Sequence, residues 1–187
     1  MKAWLRKREE EKELSVDCVS PEFAEALLLQ SAPKSFEEES RSEANPRGLA
    51  VVGLIVTPGL MIPCVWDAEK QPTFWKLPGG KGDKNAKGVT IETPEFATVR
   101  EIFEEVGILL DAAELQLIRK EPKPDHDRFF FRIDLDTTPT LCKQGVEQEL
   151  TRYISIDEIL TMPDFFPPHR RVIERELTAC RQGSLTR

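Results

Sequence analysis

The sequence predicts an α/β layered fold preceded by a helical extension. Two observations point to it. From Leu49 onward, short β-branched and aliphatic runs alternate with amphipathic helical stretches. The first 48 residues have a different composition, charged and interrupted by Pro21, Pro33 and Pro46. A chain of 187 residues, 40% hydrophobic and 32% charged, can bury one real core and still carry an appendage. The expected division is therefore an N-terminal extension, residues 1–48, and one globular domain, residues 49–187.

Within the extension, one helix is expected over roughly Lys2 to Leu14. A second is capped by Ser20, with Pro21 at its first position and Phe23, Ala24, Leu27 and Leu28 at helical spacing. Its apolar face suits packing on the main domain or on a second subunit, so a homodimer is among the expected partnerships. The following KSFEEESRSEANPRG reads as a linker or loop.

The domain opens with two strands, LAVVGLIVT and LMIPCVW, separated by Pro58-Gly59 in what reads as a hairpin. After a turn at DAEKQP, TFWKL forms a third short strand that runs into Pro78-Gly79-Gly80. A helix then starts at Thr93-Pro94-Glu95, with a capping hydroxyl, a proline at the first position and an acid near the positive helix end. Gly107 is its expected stop. Strands return at ELQLIRKE, RFFFRIDL and YISI, and a last helix begins near Pro168.

Composition excludes several classes of function. A net charge of −7 argues against broad binding to nucleic acid or membrane surfaces, which needs an excess of lysine and arginine. The longest apolar stretch, Leu49 to Val56, is too short to span a bilayer. The opening MKAWLRKREEEKE has charges where a signal peptide needs an apolar segment. Cys18, Cys64, Cys142 and Cys180 stand dozens of residues apart, which suggests neither a zinc site nor a disulfide framework. The expectation is a soluble, cytoplasmic protein with reduced thiols.

The stretch REIFEEVG, Arg100 to Gly107, is the most informative part of the chain. At about 100° per residue, Phe96, Val99, Ile102, Phe103 and Val106 share one arc that must face the core. Glu101, Glu104 and Glu105 fall on the other side, and Glu101 is within reach of both others. Each like-charge pair costs about 0.2–0.5 kcal/mol on an exposed helix, so energy alone does not separate a metal site from a solvated face. What the wider window adds is spacing. Six specified residues and two aliphatic positions from Glu92 to Ile108 would match at random on the order of once in a million trials.

The segment E92-TPEFATV-R100-E101-I102-F103-E104-E105-V106-G107-I108 closely resembles the Nudix box, the signature of the Nudix hydrolase family. It departs in one place: the family has five residues between a glycine and the first glutamate, whereas KGDKNAKGVTI puts eleven between Gly80 and Glu92. Because Gly79-Gly80 still follows the strand TFWKLP, the six extra residues read as a loop insertion that leaves helix and strand in register. Lys81, Lys84 and Lys87 in that loop are candidate phosphate contacts, with a solvated loop as the competing reading.

The resemblance implies a Nudix-like α/β/α sandwich on a mixed β-sheet. It also implies a hydrolase that uses Mg²⁺ or Mn²⁺ to cleave the pyrophosphate link of a nucleotide-type small molecule. Oxygen donors suit such hard cations. Carried over position by position, it makes Glu101, Glu104 and Glu105 metal ligands, one of them also orienting or deprotonating water, with the carbonyl of Gly79 completing the shell. Arg100 would hold carboxylates in place, Glu92 first among them; Gly80 and Gly107 shape the backbone. A further acid from a later loop is expected at Glu147, with Glu149 as the alternative and Glu121 weaker. His126 and His169 lack partners at ligand spacing, so surface or capping roles are expected. Trp66, Trp75 and Phe129-Phe130-Phe131 divide between a stacking wall for a base and core. The substrate stays open among ADP-ribose, nucleotide-sugar and nucleoside triphosphate types. A nucleotide-binding regulatory module without turnover is the alternative function, and a Nudix-like isomerase ranks below both.

Overall fold

The computed structural model describes residues 48–66, 73–86, 88, 90–143, 145 and 149–183. The two helices expected before residue 48 lie outside the described residues. Strands β1 (Gly48–Val56), β2 (Met61–Trp66), β3 (Trp75–Lys76), β4 (Gln116–Pro122), β5 (His126–Asp134) and β6 (Leu150–Ser155) are joined by helices α1 (Pro94–Val106), α2 (Ile156–Thr161) and α3 (Pro167–Gly183). β1, β5 and β4 form one sheet, with β1 parallel to β5 and β4 antiparallel to it. β3, β2 and β6 form a second, antiparallel sheet.

β1 is covered on both faces, which is why it reads as an unbroken hydrophobic run. Its Val52 and Leu54 join Ile62, Cys64, Phe130 and Ile154 beneath Ile156, Ile159, Val172 and Ile173 of α2 and α3. Its Ile55 packs with Val65 and Ile133 against Val99, Ile102 and Val106 of α1. The result is an α/β/α sandwich. α1 lies so close to β1 that a Cβ at Gly53 would stand 2.5 Å from Ile102 Cδ1.

One expectation fails. β1 and β2 do not pair as a hairpin; beyond a single bridge between Thr57 and Met61 they enter different sheets. Gly59 and Leu60 both adopt positive φ, 74° and 57°, in the short 3-10 turn Pro58–Leu60. Two successive left-handed residues turn β2 out of the plane of β1, and each strand takes a partner distant in sequence. His169 also departs from expectation. It is buried, accepts the Leu77 N–H on Nδ1 at 3.1 Å and meets Phe166 edge-on. Burial holds its pKa down to about 3, so the ring is neutral and its role is to fix the end of β3. Among the described residues no helix is long and apolar enough to cross a membrane.

Candidate active site

Helix α1 is built by the residues the sequence singled out. Thr93 Oγ1 accepts the Phe96 N–H at 3.2 Å, Pro94 stands in the first turn, and Gly107 closes the helix at φ 75° with its N–H on the Phe103 carbonyl. On the neighbouring side, the Pro78-Gly79-Gly80 segment is laid against β1: Gly53 N–H donates to the Pro78 carbonyl and Val51 N–H to the Gly80 carbonyl, each at 2.9 Å. Only glycine fits between them. Gly79 has φ 145°, and a Cβ there would overlap the Val51 carbonyl and lie 2.8 Å from Val52 Cα.

Between this segment and α1 lies a cavity of about 590 Å³ lined by Glu101, Glu104, Glu105, Glu149, Lys76 and Arg100, with Gly79, Gly80, Lys81 and Asp83 at its walls. Arg100 is the hub. Its Nε and Nη2 donate to the two oxygens of Glu92 at 2.8 and 2.9 Å, Nη1 donates to Glu104 at 2.8 Å and lies 3.2 Å from Glu101, and Nη2 also reaches the Lys81 carbonyl. Burial works against the Arg100 charge, but pairing with these acids outweighs it and raises its pKa.

Glu105 departs from the outward-facing position that helical periodicity gives it, being only 6% exposed. Its Oε2 accepts the Gly79 N–H at 2.6 Å and its Oε1 faces Lys76 Nζ at 3.1 Å. Burial raises its carboxyl to about 7 against the opposing pull of Lys76 and Gly79, and Glu149 adds repulsion. Burial likewise lifts Glu101 to about 7, with Arg100 opposing and Glu105 and Glu104 reinforcing. Glu104 is raised in the same sense, by burial first. Gly80 makes room for Glu101, because a Cβ there would collide with the Glu101 carboxylate.

Of the two acids from the later loop, Glu149 lines the cavity and Glu147 lies outside the described residues. Glu149 is 2% exposed, and its buried Oε2 has no hydrogen-bond partner among the described residues. Gly145 leaves room for it, since a Cβ at that position would stand 2.6 Å from this oxygen. Glu121 is on β4, ion-paired with Arg119 and Lys123, and is not among the cavity residues. Trp66 and Trp75 tilt against each other at 5.5 Å with Arg152 over Trp75; Phe130 and Phe131 are core.

As the side chains stand, no three acidic, imidazole or thiol groups among the described residues cluster tightly enough to hold one ion. Arg100 and Lys76 occupy the space among the acids. The donor chemistry nevertheless fits a hard divalent cation. Three carboxylates share a cavity with a fourth whose buried oxygen has no hydrogen-bond partner among the described residues, and burial raises two of them to about 7. The sequence did not single out Lys76. A lysine in a two-residue strand carries no pattern, and only the pairing of Lys76 with Val65 shows that it faces α1.

The inserted loop folds back on itself. Ile91 N–H donates to the Asp83 carbonyl at 3.0 Å, Lys84 and Thr90 bridge, and Asp83 N–H meets Glu92 Oε2 at 2.6 Å.

The sequence profile of the NUDIX domain matches residues 46–175. No curated protein sequence matches the chain. Among solved structures, a MutT from a study of Aliivibrio salmonicida and Vibrio cholerae is 22% identical, covers 70% of this chain and 98% of its own, and superposes with TM-score 0.53. A C. elegans Ap4A hydrolase is 15% identical over 72% of this chain and 98% of its own, with TM-score 0.53. The E. coli dihydroneopterin triphosphate pyrophosphohydrolase is 17% identical over 71% and 94%, with TM-score 0.51. At these identities the likeness is one of fold.

Proposed function

This chain belongs to the NUDIX family of pyrophosphohydrolases, and from that premise we propose that it cleaves the pyrophosphate link of a nucleoside diphosphate derivative with the help of Mg²⁺ or Mn²⁺. The substrate is of the ADP-ribose, nucleotide-sugar or nucleoside triphosphate type. The observation that supports the reading best is the gathering of Glu101, Glu104 and Glu105 in one cavity with the unsatisfied oxygen of Glu149.

Glu101, Glu104 and Glu105 would hold the cation, with the Gly79 carbonyl as a further oxygen donor, and Glu149 would serve as the additional acid from the later loop. The bound cation supplies charge neutralisation, polarisation of the P–O bonds and a water of lowered pKa. Arg100, forked onto Glu92, braces Glu104 and Glu101 and is not aimed at substrate. Gly79 N–H fixes one oxygen of Glu105 and leaves the other to Lys76. The thiols of Cys64 and Cys142 are buried and each donates to a backbone carbonyl; a reducing cytoplasm is the compartment proposed.

A chromatographic screen for nucleoside monophosphate release from ADP-ribose, nucleotide sugars, dinucleoside polyphosphates and nucleoside triphosphates tests the proposal, run with Mg²⁺ or Mn²⁺ on the wild type and Glu104→Gln. Metal-dependent turnover, nearly abolished by the substitution, is the expected result. Tight nucleotide binding with no turnover of any substrate would leave a regulatory module instead.

A further inference from the structure

The ammonium of Lys76 stands 3.1 Å from Glu105 Oε1, the oxygen that Gly79 N–H does not hold, and both residues line the cavity. A divalent cation using that carboxylate competes with the ammonium for the same electron pairs, and two cations at that spacing repel strongly in a half-buried site. We propose that Lys76 is an internal stand-in cation: it neutralises Glu105 while the site is metal-free, and when the metal displaces it, its ammonium passes to the diphosphate of the substrate.

Three features support the hand-over. Lys76 is itself a cavity-lining residue, so its displaced ammonium stays in the space that the anion enters. Its unbranched stem lets the charge move several ångströms without moving β3. Arg100, the other buried cation of the cavity, is fixed by a two-point grip on Glu92 and by Glu104. Lys76 meets one carboxylate, Glu105, among the described residues.

This inference rests on the metal-dependent reading above, and its test separates the two. Calorimetry at about pH 9, where the site carboxyls are ionised, gives the Mg²⁺ affinity of wild type and Lys76→Met, then the affinity of each for ADP at saturating Mg²⁺. Removing the competing charge should tighten Mg²⁺ about three- to tenfold, while losing a charge-assisted phosphate contact should weaken ADP about ten- to hundredfold. Lys76→Arg should restore most of the ADP affinity. Tighter Mg²⁺ with unchanged ADP affinity would reduce Lys76 to a counterion and overturn the hand-over. Weaker Mg²⁺ in Lys76→Met would overturn the stand-in itself. If Lys76→Met fails to fold, Lys76→Gln gives the same comparison. A wild type that takes up no Mg²⁺ refutes the metal-dependent reading along with this one, and one that takes up Mg²⁺ but not ADP refutes the hand-over alone.

Discussion

Mg²⁺ uptake should expel protons, and the number is set by the burial of the box acids. Glu101 and Glu105 both hold their proton up to about pH 7. A cation binds only the ionised carboxylates. At pH 7 each group is about half protonated, so binding releases roughly one proton in total; near pH 9 the number falls towards zero, and near pH 6 it approaches two. The same displacement, from 4.5 to about 7, costs about 3 kcal/mol per ionised carboxyl in the metal-free fold. The sign follows from the direction. With folded pKa values above the unfolded ones, the cost is absent below about pH 4.5, where both states are protonated, and the corresponding stability is lost as pH rises through about 7. Calorimetric titration with Mg²⁺ in two buffers of different ionisation enthalpy reads the proton count, and melting curves at pH 5 and pH 8 read the stability. Buffer-independent heats at pH 7 would refute the reasoning, because they would mean that the acids are already ionised or do not bind the metal.

Two further outcomes are expected. Gly80→Ala should fold, since the three atoms nearest the new methyl all belong to the end of the flexible Glu101 side chain, but should weaken Mg²⁺ binding about ten- to hundredfold by displacing that carboxylate; unchanged affinity by calorimetry would remove Glu101 from the ligand set. Deleting residues 84–89 and joining Asp83 to Thr90 restores five residues between Gly80 and Glu92, and because Asp83 and Ile91 already share a hydrogen bond of 3.0 Å, Mg²⁺ affinity should stay within about threefold. A deletion variant that unfolds in a thermal melt or loses Mg²⁺ would show that the loop supports the site.

What the sequence made legible is local. Helix α1 is specified by contacts within its own span: the Thr93 cap, Pro94, the left-handed Gly107 and the buried row Val99, Ile102 and Val106. The pairing of Arg100 with Glu92 follows from the same box. What was not legible depends on neighbours distant in the chain. The parallel pairing of β1 with β5 joins residues more than seventy positions apart, and no periodicity within either strand encodes it. The turn at Pro58-Gly59 looked like a hairpin because the sequence says only that the chain reverses there, not that two positive φ angles redirect it. α2, six residues capped by Ser155, is too short to show a period. Sequence spacing alone favours Glu147 over Glu149; among the described residues Glu149 lines the cavity, where Gly145 leaves room for it, and Glu147 lies outside them.

Glu105 shows why periodicity alone misassigns such a site. On an isolated helix, its angle puts it with Glu101 and Glu104, facing water. Here α1 is covered on a second flank by the Gly79-Gly80 segment, which β1 holds by two backbone hydrogen bonds, so a position outside the apolar arc is nonetheless buried. A buried carboxylate needs compensation, and Gly79 N–H and Lys76 provide part of it. The pKa of about 7 shows how much is still missing. That shortfall is what the proposed divalent cation would relieve: the stability given up in holding acids that the fold does not fully neutralise would return as affinity for the ion.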